Sequence, residues 1–239
     1  MQTIYKRPII LLFILIGFIT MSVNRCEQLV RVPMSEAEVA SGLREALTIG
    51  AVNAVLATNQ ENGFFNNSAI KIPFPPEAAG AMNYMQNSAL LRPLLNEFVL
   101  RLNRAAEHAS AQARPIFTNA IRDITIQDAW GILRGGQNAA TNYLHDRTFT
   151  QLYGAFKPDI INSLNTVGAQ SAWQELTTAY NAIARLSPSL SPVNTDLADY
   201  ATSRALEGLF AMVADEEANI RRDPAARVTE LLQRVFAQQ

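Results

Sequence analysis

Leu206-Glu207-Gly208-Leu209-Phe210-Ala211-Met212-Val213-Ala214-Asp215-Glu216-Glu217-Ala218-Asn219-Ile220-Arg221-Arg222-Asp223-Pro224 is the stretch whose reading decides the fold. Leu206, Leu209, Phe210, Val213 and Ile220 recur at helical spacing and so share one face of a helix. An acidic turn (Asp215, Glu216, Glu217) precedes a basic one (Arg221, Arg222). Asp223-Pro224 then stops one helix and opens another, because Pro fits a first helical position and Asp accepts from the free N–H groups behind it. Val228, Leu231, Leu232, Val235 and Phe236 repeat the apolar face beyond the turn. Two amphipathic helices joined this closely, with Thr195 as the expected cap of the pair, must bury their stripes. The chain before them is the available partner.

Working back from that pair, the chain reads as helix after helix. Ser35-Glu36-Ala37-Glu38 is a capping box, and the helix it opens carries Val39, Leu43, Leu47, Val52 and Val55 toward a core. Gln60 to Pro76 is the one long irregular stretch. Its Phe64, Phe65 and Phe74 suit a loop packed onto helices better than an exposed apolar lip. Pro93 starts a longer helix that Arg114-Pro115 is expected to break. Thr125-Ile126-Gln127-Asp128 is a second capping box, and its helix ends at Gly135-Gly136. The next helix is expected to stop at Pro158, with a further one from Pro158 to Val167, and Ser187 to Pro192 reads as a loop. No apolar–polar alternation runs long enough to suggest a sheet. The expectation is an all-α fold, a single multi-helix domain of about nine helices over residues 35–239.

Of the 239 residues, 49% are apolar and 17% charged, a composition that supports a packed core and argues against disorder. The net charge is −1, and without Lys6 and Arg7 it is −3, from 18 basic and 21 acidic residues. No basic surface is therefore expected for nucleic acid. Lys6 and Arg7 precede an uncharged run from Pro8 to Asn24 with Ile9 to Ile16 at its centre. That run is short for a membrane span, so residues 1–25 read as an export signal and 26–34 as a tether. Cys26 is the single cysteine, which excludes an internal disulfide. Its place after the apolar run is that of an acylated lipoprotein cysteine, although Val23-Asn24-Arg25 lacks the small residue such a signal puts before it. The expected localisation is the periplasm or cell envelope, with a membrane surface reached through an acyl anchor.

Several motifs together resemble a bacterial exported family, domain-of-unknown-function family 4197. They are Ser41-Gly42-Leu43-Arg44-Glu45-Ala46-Leu47, Lys71-Ile72-Pro73-Phe74-Pro75-Pro76-Glu77, Leu102-Asn103-Arg104-Ala105-Ala106-Glu107 and Ala139-Ala140-Thr141-Asn142-Tyr143-Leu144. Arg204-Ala205-Leu206-Glu207-Gly208-Leu209-Phe210 and Glu216-Glu217-Ala218-Asn219-Ile220-Arg221-Arg222-Asp223-Pro224-Ala225-Ala226-Arg227 complete the set. The resemblance implies an exported α-helical protein, often with a lipoprotein-like start. It implies no reaction and no catalytic residue.

Little in the chain spells out chemistry. His108 and His145 fall on separate predicted helices and neither belongs to a Glu-x-x-His or His-Glu-x-x-His motif, so no metal is expected. His145-Asp146 are chain neighbours expected to point apart, and no serine stands in a nucleophile motif. Gly135-Gly136 before a helix raises a phosphate site, yet it matches neither nucleotide fingerprint and a helix cap explains it more simply. The acidic turn is the remaining candidate. Glu216, Glu217, Arg221 and Arg227 either form a ligand site or pin the turn. Glu217 and Arg221 have the favourable i,i+4 order, and Arg227 is placed to reach the carboxylates or helix-end carbonyls. Two classes of function follow. One is a non-catalytic envelope scaffold that binds a protein or an apolar ligand; the other is a hydrolase using Glu216 and Glu217. No cofactor is expected in either.

Overall fold

The computed structural model describes residues 34–237 apart from 88, 90, 91, 167, 187–191 and 193–195. The expected signal (1–25), Cys26, nearly all of the tether, the Ser187 end of the expected loop and the Thr195 cap lie outside the described residues. Helix is the only regular structure among the described residues, with no strand.

α1 (Glu36–Asn59) opens on the capping box: Glu38 N–H donates to the Ser35 hydroxyl, and the Glu38 carboxylate accepts from Ser35 N–H. Glycine and alanine alternate with its larger residues, so Val39, Leu43, Leu47, Ala51 and Val55 all bury while neighbours pack close. It is the one described helix long and apolar enough to cross a membrane, and 56% of that window is buried inside the fold. Val52, expected in the core, is only half-buried.

A 3₁₀ turn at Pro76–Ala78 leads into α2 (Ala79–Asn87), followed by α3 (Arg92–Ala109). The break between α3 and α4 (Ala113–Arg122) comes earlier than Arg114-Pro115, at a 3₁₀ turn over Ser110–Gln112. Pro115 instead sits in the first turn of α4, where its missing N–H costs no helical hydrogen bond. α5 (Ile126–Arg134) carries the second capping box between Thr125 and Asp128.

The expected partition into about nine helices is not matched element for element. Pro158 does not divide the chain; it lies inside α6 (Ala139–Thr166). Pro158 is exposed, so its ring faces outward, while Phe156, Ile160 and Leu164 on the opposite face are almost fully buried and hold the helix on course. Tertiary burial on both sides of the proline overrides the local break.

α7 (Ala169–Ala184) precedes α8 (Leu197–Arg222), which packs along both α1 and α6. Asp196 is the described cap of α8, accepting from Asp199 N–H. Leu206, Leu209, Phe210, Val213 and Ile220 are buried as their spacing requires. The closing helix is shorter than expected. Pro224–Ala226 forms a 3₁₀ turn, and α9 (Glu230–Phe236) starts only at its Thr229 cap. Val228 therefore precedes the helix and stands 67% exposed, whereas Leu232, Val235 and Phe236 bury against α1. Gly42 allows that contact: a Cβ there would lie 2.5 Å from a Val235 methyl.

Candidate functional site

The acidic turn on α8 splits into separate roles. Glu217 is buried, and its oxygens accept from Ala140 N–H (3.0 Å), Thr141 N–H (2.8 Å) and the Thr141 hydroxyl (2.7 Å). Those donors belong to the first turn of α6. The helix N-terminus that Gly135-Gly136 suggested for phosphate thus holds an anion, the chain's own carboxylate. Arg221 lies 2.8 Å from Glu217 and donates as well to Ile132 and Leu133 carbonyls at the end of α5. One buried ion pair on α8 thereby caps the end of α5 and the start of α6 across the Gly135-Gly136 corner.

Glu216 points elsewhere, accepting from Asn53 on α1 at 3.1 Å, and Asp215 is exposed. Arg227 reaches the Ile220 and Arg221 carbonyls, closing the end of α8 rather than meeting a carboxylate. The four candidate residues are brought into one region, but Glu216 and Glu217 do not converge on a shared point. The space beside Glu217 and Arg221 is about 20 Å³, too small for a ligand.

The histidines stay apart. His108 is exposed; His145 packs its ring 4.9 Å from both Phe149 and Phe210. Contrary to expectation, His145 Nδ1 does lie 3.4 Å from Asp146 Oδ1, both at the solvent-facing side of α6. No metal-ligand cluster occurs among the described residues.

The irregular segment is packed down, and two α3 side chains do it. Asn103 copies a strand partner: its Oδ1 accepts from Ile72 N–H and its Nδ2 donates to the Ile72 carbonyl, both at 2.8 Å. One turn later the buried Glu107 accepts from the N–H groups of Asn62, Phe64 and Phe65 while paired with Arg104 at 2.6 Å. Asn62, with φ 67°, takes the left-handed conformation that aims these N–H groups inward. Phe64, Ile70, Ile72 and Phe74 bury as a result.

Between this pinned segment and α8 runs a groove. It comprises two depressions of about 410 and 310 Å³ that share Arg204 and Glu207. The first lies along Ala69–Pro73 opposite Gly208 and Ala211; the second is walled by Pro75, Pro76, Trp173, Leu197 and Tyr200. Gly208 matters because a Cβ there would meet the Phe64 ring at 2.6 Å. Tyr200 donates to the Pro73 carbonyl at 3.2 Å, fixing the wall to the helix. Below it, Trp173 joins Phe74 and Phe98 in an aromatic cluster with centroids 5.4–5.9 Å apart.

At the groove's rim, Asp199 receives the Tyr153 hydroxyl and Lys157 at 3.2 Å; Lys157 is also 3.6 Å from Asp196. These contacts, Tyr153 first, hold the Asp199 carboxyl below the usual carboxylate range. The same hydrogen bond raises the Tyr153 hydroxyl, and the carboxylates raise Lys157. Arg204 pairs with Glu207 at 2.7 Å across the shared edge.

None of the groove residues is a chemical motif by itself, so sequence patterning passed over them. The signal that reaches them is indirect: two of the family-like stretches, Lys71–Pro76 and Arg204–Gly208, form facing walls. No curated protein and no solved structure matches the chain. The family described as "Protein of unknown function (DUF4197)" matches over residues 33–237. With that match running across the whole helical unit, the chain belongs to the DUF4197 family.

Proposed function

We propose that the protein is an exported, non-catalytic helical scaffold that binds its ligand in the groove between residues 69–76 and α8. The observation that carries this reading is the groove itself, whose walls are held by directed hydrogen bonds. Asn103 fixes Ile72, Glu107 fixes the preceding turn, and Tyr200 ties Pro73 to α8. A pre-formed concave surface of aromatic, proline and charged side chains is the usual form of a binding site. The hydrolase reading gains nothing at Glu216 and Glu217. Both oxygens of Glu217 are engaged by backbone donors and Arg221, and a general base must be free to take a proton.

Export and anchoring complete the proposal. The basic start, the apolar run and Cys26 support a cleaved signal and an acyl anchor that hold the scaffold at a membrane surface in the cell envelope.

A nuclear magnetic resonance screen of the protein against small amphiphiles and short peptides tests the binding surface. Perturbed amides should cluster at Ala69–Pro73 and Tyr200–Ala211. Clustering at Glu217 and Arg221 instead would overturn the assignment. Mass spectrometry of the protein from its native membrane fraction tests the N-terminus. Loss of residues 1 to about 22–25, with an acyl mass on Cys26, is expected; an intact Met1 overturns the cleaved signal.

A further inference from the structure

Asn62-Gly63 is the single asparagine–glycine step in the chain, and it sits in the turn that follows α1. The fold dictates both residues. Asn62 has φ 67°, a left-handed conformation that asparagine accepts more readily than most side chains. Gly63 is buried where a Cβ would meet the carbonyl oxygen of Ala57, and that of Thr58 at 2.7 Å, so only glycine fits. The turn therefore joins an asparagine to the one residue whose backbone nitrogen reaches the asparagine Cγ without hindrance from a side chain.

Several contacts hold that pair closed. Gly63 N–H donates to the Gln60 carbonyl at 2.9 Å, which engages the nitrogen. Arg104 donates to Asn62 Oδ1 at 3.0 Å, drawing the side-chain amide toward α3. On either side, Asn62 N–H (3.2 Å) and Phe64 N–H (3.1 Å) donate to the buried Glu107. Attack on Cγ needs the Gly63 nitrogen freed from Gln60 and stripped of its proton. The closed turn opposes this, and local opening permits it.

We propose that Asn62 is a self-modification site, guarded by Glu107 and Arg104, whose reaction releases the segment 60–76 from α3. When the turn opens, hydroxide removes the Gly63 N–H proton and the nitrogen bonds to Asn62 Cγ. The Cγ–Nδ2 bond breaks, ammonia leaves with a proton from water, and a succinimide ring remains. Water then opens the ring on either side. Breaking the new Cγ–N bond gives aspartate. Breaking the original peptide bond gives isoaspartate, with the main chain one atom longer because it now runs through Cβ and Cγ. The closed turn has no room for that atom, since Gly63 lies against two carbonyls where even a methyl clashes. The N–H groups of Phe64 and Phe65 then no longer meet Glu107. Aspartate instead adds a carboxylate beside Glu61 and Glu107, which already share Arg104. The loosened segment includes Ala69–Pro73, one wall of the groove, so the modification acts irreversibly on that surface.

The test ages the full protein at mildly alkaline pH and maps its peptides by mass spectrometry, with fragmentation that separates aspartate from isoaspartate. The same chain unfolded in guanidinium chloride gives the unguarded rate. Conversion at Asn62 in the folded protein should be slower by about tenfold or more, the scale of breaking one hydrogen bond first. Glu107→Gln and Arg104→Gln should each accelerate it several-fold, while Asn162-Ser163 on α6 keeps its folded-state rate. Arg104 is 27% exposed, so its variant decides the matter should Glu107→Gln not fold. In the isoaspartate fraction, resolved by chromatography, amides at Ile70–Ile72 should exchange faster than in the unmodified protein, with α6 unchanged. Equal rates folded and unfolded, or no acceleration in Arg104→Gln, overturns the guarded site. Equal acceleration at Asn162 means that the whole fold has opened and overturns the local clamp. Unchanged exchange in the isoaspartate fraction overturns the release.

Discussion

Glu217 takes both donors of Thr141, the backbone N–H at 2.8 Å and the hydroxyl at 2.7 Å, although the two residues lie 76 positions apart. This carboxylate replaces the missing helical partners at the start of α6, and its partner Arg221 does the same for the end of α5. With side-chain exposures of 5% and 9%, the pair has little solvent to compensate for a lost member. Glu217→Gln strands the Arg221 charge and turns an amide toward backbone donors, so it should cost about 3–5 kcal/mol. Leu232→Ala, which empties a fully buried site between α9 and α1, should cost about 2–5 kcal/mol. Denaturant melts of the two variants should therefore show losses of similar size. A stabilised Glu217→Gln would remove the clamp from this account.

Asn103→Ala unpairs both backbone groups of Ile72 at a buried position. Each stranded group is expected to cost about 1–3 kcal/mol. The effect should be local in its dynamics: amide exchange at Ile72 and its neighbours should accelerate far more than in α6. Uniform acceleration across the fold would show that Asn103 does not hold the segment in particular.

Gly208→Ala probes the closest approach of α8 to the irregular segment. The added methyl meets a Phe64 ring that is fully buried and has nowhere to retreat. Overpacking of this kind should cost about 1–3 kcal/mol. Gly80→Ala, on α2 with open space around its Cβ position, is the control and should be neutral or mildly stabilising. Equal melting of the two variants would contradict the packing described.

Acid should release the surface caps. Glu38 is held low by the Ser35 backbone and hydroxyl, and Asp128 by the same groups of Thr125. Asp199 is held low by Tyr153 and then Lys157. A carboxyl lowered on folding contributes stability above its unfolded value and loses it as pH falls through the folded one. These contributions are therefore intact at neutral pH and fade below the ordinary values of 4.5 for Glu38 and 3.8 for the aspartates. Asp128→Asn should be less stable than the parent at pH 7, by under about 1 kcal/mol because the site is solvated. The gap should close as pH falls below 3.8 and on through the parent's lowered folded value. A gap independent of pH would mean the Asp128 charge is not what the cap uses. At the alkaline end the signs reverse: Tyr153 and Lys157 are raised, so their contribution is lost as pH climbs through their folded values.

Local sequence determined the helical character of this chain. Ser35–Glu38 and Thr125–Asp128 close as capping boxes because each needs atoms only three residues apart. The α8 stripe from Leu206 to Ile220 buries because helical spacing fixes which residues share a face. The ion pair of Glu217 with Arg221 was legible for the same reason, being one turn apart.

The tertiary structure decided everything that depends on residues far apart in the chain. Sequence placed Glu217 beside Arg221 but not against Ala140 and Thr141, so it left a ligand site and a structural clamp as alternatives for the same four residues. It broke the chain at Pro158, because proline's local effect is visible and the buried flanks that override it are not. Asn103 and Glu107 carry no motif, yet their bonds to Ile72, Asn62, Phe64 and Phe65 turn an irregular segment into a fixed wall. The groove facing α8, with Trp173 beneath it, exists only once that wall is in place. Helix caps and stripes are short-range facts of covalent spacing; a concave surface is a relation between distant segments, and only packing brings those together.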